Sequence, residues 1–176
     1  MLILETPRLL FRDHEPGDLE SFCAMEADPE VRRFVGGKPR PHAEAERKFQ
    51  STFLRPHPER LGLWATVLKS SGDYIGYCGV YPHFNPHIPI PGEGTLGYYL
   101  ARPHWGRGLA SEAGTGFVAF GFRELGLSRL VASVEVGNVA SVRVLEKLGF
   151  TWHHLEPGES RSFDHYELRA PGKKAA

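Results

Sequence analysis

Two glycines and the start of a helical pattern lie together at residues 105–111, with the sequence W-G-R-G-L-A-S. Gly106 and Gly108 permit the backbone angles of a tight turn, and they carry no side chain that would keep a ligand from the amides. Apolar side chains then recur on one helical face, at Leu109, Ala113, Phe117 and Phe120. The first N–H groups of such a helix lack partners and carry a partial positive charge of roughly half an electron. The spacing therefore predicts an anion site, for which phosphate is the usual ligand.

Several interpretations of residues 105–111, called here the glycine loop, compete. A Walker loop requires a lysine after its last glycine, and no lysine stands there. A dinucleotide fingerprint requires a third glycine where this chain has Ser111. The fingerprint also belongs in the first strand-to-helix turn of its domain, whereas about half of this chain precedes the turn. A turn that merely joins a strand to a helix is a further alternative. The segment 105–113 resembles the Q/R-x-x-G-x-G/A pyrophosphate loop of the GNAT acyl-CoA N-acetyltransferases, and Trp105 at its first position is similar to the ribosomal-protein alanine N-acetyltransferase branch.

Two other blocks carry the same resemblance, in the same order along the chain. The opening block contains E-T-P-R-L-L-F-R at 5–12, D-L at 18–19 and D-P-E-V-R-R-F-V-G-G at 28–37. The closing block at 138–150 is similar to the N-x-x-S-x-x-x-x-x-K-L-G-F block of the branch. The resemblance implies acetyl-CoA as cosubstrate and direct attack of an amine on the bound thioester. No protein nucleophile is then needed.

The resemblance also implies the site residues. Backbone N–H groups near Leu100 would hold the pantetheine and the thioester carbonyl, and Asn138 would contact the pantetheine. The Ser141 hydroxyl would donate to the leaving sulfur. Helix capping is the alternative for both side chains, since Asn138 precedes a predicted helix and Asn is a favoured N-cap. The amides of 106–111 would hold the pyrophosphate, so that the cofactor-binding set includes Trp105, Gly106, Arg107, Gly108, Leu109, Ala110 and Ser111.

The general base is the least determined part of the site. Members of this branch often carry an acidic residue two positions before Gly-Tyr, and Thr95 occupies that position here. Glu93 and Glu135 are the remaining candidates. An exposed loop carboxylate is the alternative for Glu93, and a solvated strand carboxylate is the alternative for Glu135.

The elements that must position these residues follow from the periodicity. Predicted strands lie at 8–12, 62–69, 74–81, 95–101, 130–136, 150–155 and 163–168, and predicted helices at 18–27, 41–54, from 109 onwards and at 139–148. Residues 82–94 are proline-rich and are predicted to form a long loop. This order indicates an α/β (α+β) single domain over 1–170, with a disordered tail at 171–176. The resemblance implies a twisted, mostly antiparallel GNAT-like sheet of about seven strands with about four helices, and an acyl-CoA site between its fourth and fifth strands.

Composition excludes several other classes. The 176 residues are 41% hydrophobic and 24% charged, with 21 basic and 21 acidic residues, so nothing favours nucleic acid as a partner. No apolar stretch approaches the roughly 18 residues of a membrane span, and we expect a cytoplasmic protein. Cys23 and Cys78 are expected to be buried thiols. The histidines form no metal motif, since prolines surround His83 and His87, and no metal is predicted.

The acceptor is expected to be a primary amine. The resemblance indicates a protein or peptide N-terminal α-amine, and the alternative is a small amine such as a polyamine or an aminoglycoside. A CoA-binding module without turnover is the rival class, because the acidic residue before Gly-Tyr is absent. A homodimer is left open.

Overall fold

The computed structural model describes residues 1–55, 60–84 and 88–172. Within these ranges one sheet of eight strands has the order β1-β2-β3-β4-β5-β6-β8-β7. Neighbouring strands are antiparallel except β5 and β6, which are parallel. The strands are β1 Leu2–Glu5, β2 Leu9–Arg12, β3 Gly62–Leu68, β4 Tyr74–Phe84, β5 Pro89–Leu100, β6 Arg129–Glu135, β7 Thr151–Glu156 and β8 Phe163–Arg169.

Five α-helices flank this sheet. They are α1 Leu19–Ala27, α2 Pro29–Arg32, α3 His42–Lys48, α4 Leu109–Arg123 and α5 Val139–Lys147. A π-helical turn, Phe49–Phe53, follows α3 directly. The predicted mixed, mostly antiparallel α/β architecture is confirmed. Among the described residues, no helix is both long and apolar enough to cross a membrane.

The larger core lies between the sheet and helices α4 and α5. Phe117 of α4 packs edge-on against Phe11 of β2, with ring centroids 4.8 Å apart. Leu145 of α5 is fully buried in the same cluster as Ala132 and Val134 of β6. The apolar faces predicted for these two helices are therefore the faces that hold them on the sheet.

Helices α1 and α3 cover part of the opposite face. Phe22 and Phe53 surround Tyr77 of β4, and the Phe53 and Tyr77 ring centroids are 4.8 Å apart. Farther along the sheet, the side chains of β6 that alternate with the buried Ala132 and Val134 lie on that same face, together with their partners on β8. Apart from Val131, these side chains are not fully buried. We call this region of β6 and β8 the open face; its members are Val131, Ser133, Glu135, Phe163, His165 and Glu167.

The sequence missed one strand and assigned one loop wrongly. Residues 2–5 form β1, which is too short for a clear period-2 pattern. The loop predicted at 82–94 is mostly strand, because β4 continues to Phe84 and pairs there with Pro89; residues 85–87 lie outside the described ranges. Pro89 and Pro91 of β5 are tolerated because they precede Glu93, the first β5 residue that pairs with β6, so no bond to β6 depends on their missing N–H. Residues 173–176 of the predicted tail also lie outside the described ranges.

A buried ion network holds α1 to the segment that carries α3. Glu26 is 1% exposed and accepts hydrogen bonds from Arg40 at 2.7 Å, Arg32 at 3.3 Å, the Tyr77 hydroxyl at 3.2 Å and Lys48 at 3.4 Å. Burial by itself would raise the pKa of the Glu26 carboxyl. Lys48 and the two arginines outweigh it, so that the pKa lies below its ordinary value.

Glu26→Ala should lower the free energy of unfolding by about 3 to 5 kcal/mol, because it leaves buried cations without their anion. Urea denaturation at pH 7 measures the change, and Glu20→Ala, whose side chain is 81% exposed, should stay within about 0.5 kcal/mol. Since folding lowers the pKa of Glu26, its contribution is present above the unfolded pKa of about 4.3 and is lost as the pH falls through the folded pKa. Equal losses in the two variants would contradict this role.

Candidate functional site

The parallel strands β5 and β6 pair over a short distance and then separate. Glu93, Gly94 and Thr95 pair with Arg129, Leu130 and Val131. Beyond Thr95 and Val131 the described residues of the two strands pair no further, although both strands continue. A cleft therefore opens between residues 96–100 of β5 and 132–135 of β6, and we call it the β5–β6 cleft.

The glycine loop lies at the end of β5 that borders this cleft. Gly106 and Gly108 have φ angles of 69° and 73°, in the left-handed region that favours glycine. Gly108 immediately precedes the first residue of α4, so the unpaired N–H groups of that helix begin here. The Trp105 indole N–H donates to the Leu100 carbonyl at 2.7 Å, which fixes the loop to the strand end. The structure thus brings together the predicted loop, Leu100 and a helix N-terminus.

A second set of contacts, which the sequence analysis missed, fixes the loop from the other side. The Glu112 carboxylate accepts from the Thr6 hydroxyl at 2.7 Å, the Arg8 backbone N–H at 2.8 Å and the Arg8 guanidinium at 2.6 Å. Arg8 also donates to the Arg107 carbonyl at 2.9 Å. Burial by itself would raise the pKa of Glu112. The hydrogen bonds from Thr6 and Arg8 outweigh it and hold the pKa below its ordinary value. The sequence did contain a signal for these contacts, since Thr6 and Arg8 belong to the opening block that carries the family resemblance.

Tyr98 and Ser141 meet across the β5–β6 cleft. The two hydroxyl oxygens are 2.9 Å apart, and the Tyr98 hydroxyl also lies 3.1 Å from the Ser141 carbonyl oxygen. Burial raises the pKa of Tyr98 well above its ordinary value, so it stays a protonated donor. Asn138 caps α5, because its side-chain oxygen accepts from the Ser141 backbone N–H at 3.2 Å. The sequence selected Ser141 and Asn138 but not Tyr98.

The two carboxylates considered as bases both have cationic partners. Glu93 accepts from Arg129 at 3.1 and 3.2 Å. Glu135, on the open face, accepts from Arg161 of the β7–β8 connection. The structure places Glu135 beside the cleft and Glu93 at its closed end. Their assignment as bases stays a prediction.

Histidines gather at the closed end of the cleft, on the side of the open face. A pocket of about 250 Å³ is lined by His83, Arg129, Val131, His153, His154, His165 and Tyr166. Burial lowers the pKa of His83. Glu93 acts in the opposite direction, whereas Arg129 and His165 lower the pKa further. In the described part of the chain, no group of three or more His, Cys, Asp or Glu side chains could hold a metal ion.

Comparison with known families identifies the arrangement. The model of the acetyltransferase (GNAT) domain matches residues 8–151. An uncharacterised N-acetyltransferase, p20 of Bacillus licheniformis, is 32% identical over 174 residues, which cover 94% of each chain. The family match includes most of the opening block and all of the glycine loop and the closing block.

Solved structures share the fold at low sequence identity. A ribosomal L7/L12 α-N-protein acetyltransferase in complex with coenzyme A superposes with a TM-score of 0.80 at 14% identity, covering 98% of this chain and 100% of the other. A spermidine N-acetyltransferase from Vibrio cholerae, in complex with CoA and spermine, has a TM-score of 0.72 at 17% identity, covering 92% and 95%. These likenesses concern the fold, which therefore serves both peptide and polyamine acceptors.

Proposed function

The chain belongs to the GNAT family of acetyl-CoA-dependent N-acetyltransferases, and from that premise we propose that it acetylates the N-terminal α-amine of a protein or peptide. The observation that carries the choice of acceptor is the pairing of the carboxylates around the open face with cations. A cytoplasmic location, where acetyl-CoA would meet such amines, is part of the same proposal.

We place the coenzyme pyrophosphate on the amides of residues 106–111. Gly106 and Gly108 have left-handed backbone angles that leave the loop amides free of side-chain cover, and the α4 N-terminus adds its partial positive charge. The Arg8 guanidinium lies beside this loop, where it donates to the Arg107 carbonyl and is paired with Glu112. From there the pantetheine would follow the cleft edge of β5 from Leu100 inwards, with Asn138 at the opposite border.

Gly108→Val should weaken CoA binding by about 10²-fold. The side chain would stand among the amides, and charge-assisted hydrogen bonds are worth roughly 1.5 to 3 kcal/mol each. Gly126→Val is the matched control, because Gly126 has a similar φ of 65° and open space around it, but lies at the other end of α4. Isothermal titration with CoA should show the loss in Gly108→Val alone. Unchanged affinity in that variant, or equal losses in both, would remove the site assignment.

The leaving thiolate is placed at the Tyr98–Ser141 pair. The pair lies on the α5 side of the cleft, away from the open face, so an amine arriving from the open face attacks from the other side of the thioester. Ser141 donates a proton as the carbon–sulfur bond breaks, and Tyr98 donates a hydrogen bond to the Ser141 oxygen as it loses that proton. The N-cap bond of Asn138 to the Ser141 backbone fixes the position of the serine.

Ser141→Ala should lower kcat by about 10²-fold or more while leaving the affinity for acetyl-CoA nearly unchanged, since the donated proton matters mainly in the transition state. Tyr98→Phe should lower kcat less, because Ser141 keeps its hydroxyl. Ser71→Ala, in the exposed β3–β4 turn, is the control. Steady-state rates and CoA titrations measure both quantities. Wild-type turnover in Ser141→Ala would leave Ser141 with a structural role only.

The charges around the open face favour an acceptor with a single positive charge. A polyamine or an aminoglycoside carries several charges and would require an acidic rim. Three of the carboxylates there are already paired with arginines. The pairs are Glu93 with Arg129, Glu135 with Arg161, and Glu167 with Arg169.

The chemistry of the amine supports the same choice. An α-amino group has a pKa of about 7.7 to 8.0, against about 10.4 for a lysine side chain. Near pH 7 roughly a tenth of the α-amine is already neutral, which is hundreds of times the neutral fraction of lysine. An enzyme whose nearby carboxylates are engaged in ion pairs therefore acts more readily on an α-amine.

A panel of acceptors tests this choice directly. It contains peptides with a free N-terminus, the same peptides with a blocked N-terminus and an internal lysine, spermidine, and an aminoglycoside. Mass spectrometry should locate the acetyl group on the free α-amine, with the blocked peptides unmodified. Efficient turnover of a small polycation and of no peptide would overturn the acceptor assignment. CoA binding without any product would instead support the binding module.

A further inference from the structure

A chain of three polar side chains runs across the open face and lies outside the proposed coenzyme site. The Ser133 hydroxyl oxygen is 3.0 Å from Nδ1 of His165, and Nε2 of His165 is 2.7 Å from a carboxylate oxygen of Glu156. Ser133 of β6 pairs with His165 of β8, and Glu156 of β7 pairs with Phe163, two residues before His165 on β8. A serine, a histidine and a glutamate bonded in series can move a proton from one end to the other.

The serine end of this chain lies beside the β5–β6 cleft. Ser133 is two residues beyond Val131, the last β6 residue that pairs with β5. Continuing the parallel register places Ser133 level with Gly97, within the separated part of the strands. Its neighbours Ala132 and Val134 are buried against the helices, so the Ser133 side chain projects to the open face, where it is exposed. An acceptor amine that approaches the thioester from the open face passes this hydroxyl.

The bonds assign a direction to the relay. Glu156 is an acceptor, so Nε2 of His165 carries the hydrogen in neutral histidine, and Nδ1 is left to accept from Ser133. The His165 side chain is only 20% exposed. The His154 ring stacks on its imidazole, with ring centroids 4.4 Å apart. Its position is therefore fixed by two hydrogen bonds and one stacked ring.

Other charged and titratable groups surround His165 without making the same link to the cleft. Glu135 is held by Arg161, and Glu93 is held by Arg129. The groups that face or adjoin the imidazole are His83 from β4, Arg129 from β6, His153, His154 and Glu156 from β7, and Glu167 from β8 itself.

We propose that Ser133 and His165, supported by Glu156, form the relay that removes the proton from the acceptor amine during acetyl transfer. The inference rests on the proposed N-acetyltransferase function and supplies the base that the sequence did not identify. Ser133 is the group that touches the amine. His165 acts through it, and Glu156 holds the imidazole.

The amine nitrogen forms a bond to the thioester carbonyl carbon, and its proton passes to the Ser133 oxygen while the Ser133 proton passes to Nδ1 of His165. The resulting imidazolium is paired with Glu156. The carbon–sulfur bond then breaks with its electron pair on sulfur, which takes a proton from Ser141. Water afterwards removes the proton from His165 and returns one to Ser141, so that the products are the amide and free CoA.

The test compares Ser133→Ala, Ser133→Thr, His165→Gln and the double variant Ser133→Ala/His165→Gln, with a free-N-terminus peptide as acceptor. Ser133→Ala and His165→Gln should each lower kcat by about 10²-fold, and CoA affinity by isothermal titration should be unchanged. Ser133→Thr keeps a hydroxyl and should retain most of the rate. The double variant should be no slower than His165→Gln, because both changes interrupt one relay. His42→Gln, which alters a distant exposed histidine–glutamate pair, is the matched control.

The pH dependence separates this role from a structural one. A base accepts a proton only in its deprotonated form, so in the wild-type protein the imidazole and the amine must both be neutral. Log kcat/KM should therefore rise with a slope approaching 2 at the acid end in wild type and His42→Gln, and with a slope of 1 in His165→Gln. Wild-type rate and slope in His165→Gln would overturn the relay alone. A wild-type protein that binds CoA but acetylates no amine would overturn the proposed function, and the relay with it.

Discussion

The separation of two parallel strands is the constraint on which the site depends. Beyond Thr95 and Val131, β5 loses β6 as a neighbour and one edge of its backbone is left without a strand partner in the described structure. Backbone N–H and C=O groups strongly require hydrogen-bond partners, so such an edge is suited to a ligand that carries amides of its own. The pantetheine of acetyl-CoA is a ligand of that kind. The separation also divides the side chains that border it between two sides of the sheet, with Tyr98 and Ser141 towards α5 and Ser133 towards the open face.

Elements at both ends of the chain hold this geometry in place. The Trp105 indole ties the glycine loop to the end of β5, and Glu112 ties the first turn of α4 to the β1–β2 connection through Thr6 and Arg8. The loop is therefore fixed by residues about a hundred positions away in sequence. A positively charged turn that is rigid before its ligand arrives loses less conformational entropy on binding. The opening block of the sequence thus helps to fix the glycine loop, the proposed phosphate site, which it does not itself contain.

Ion pairing determines which parts of the molecule are available for chemistry. Glu26 is buried with its cations and serves the packing of α1 and α3 against β4. Glu93 and Glu135 lie near the cleft but have arginine partners, whereas His165 is bonded to a serine that borders the cleft. Carboxylates that look equivalent in the sequence differ because their partners come from strands and loops far along the chain. The role of a charged residue in this protein therefore follows from its neighbours.

The sequence by itself determined the glycine loop and the helix that follows it, and it offered capping as an alternative for Asn138, because each depends on residues close together in the chain. It indicated the family through three blocks in a fixed order. Local glycine geometry, helical periodicity and capping need no distant partner. The strand β1, the strand character of the ends of 82–94, the role of Arg8 and the meeting of Tyr98 with Ser141 were decided only by the tertiary structure. The same holds for the Ser133–His165–Glu156 chain, whose members lie on three strands and become neighbours through the order β6-β8-β7. Strand order is set by the packing of the whole sheet, and for that reason no local pattern could reveal these contacts.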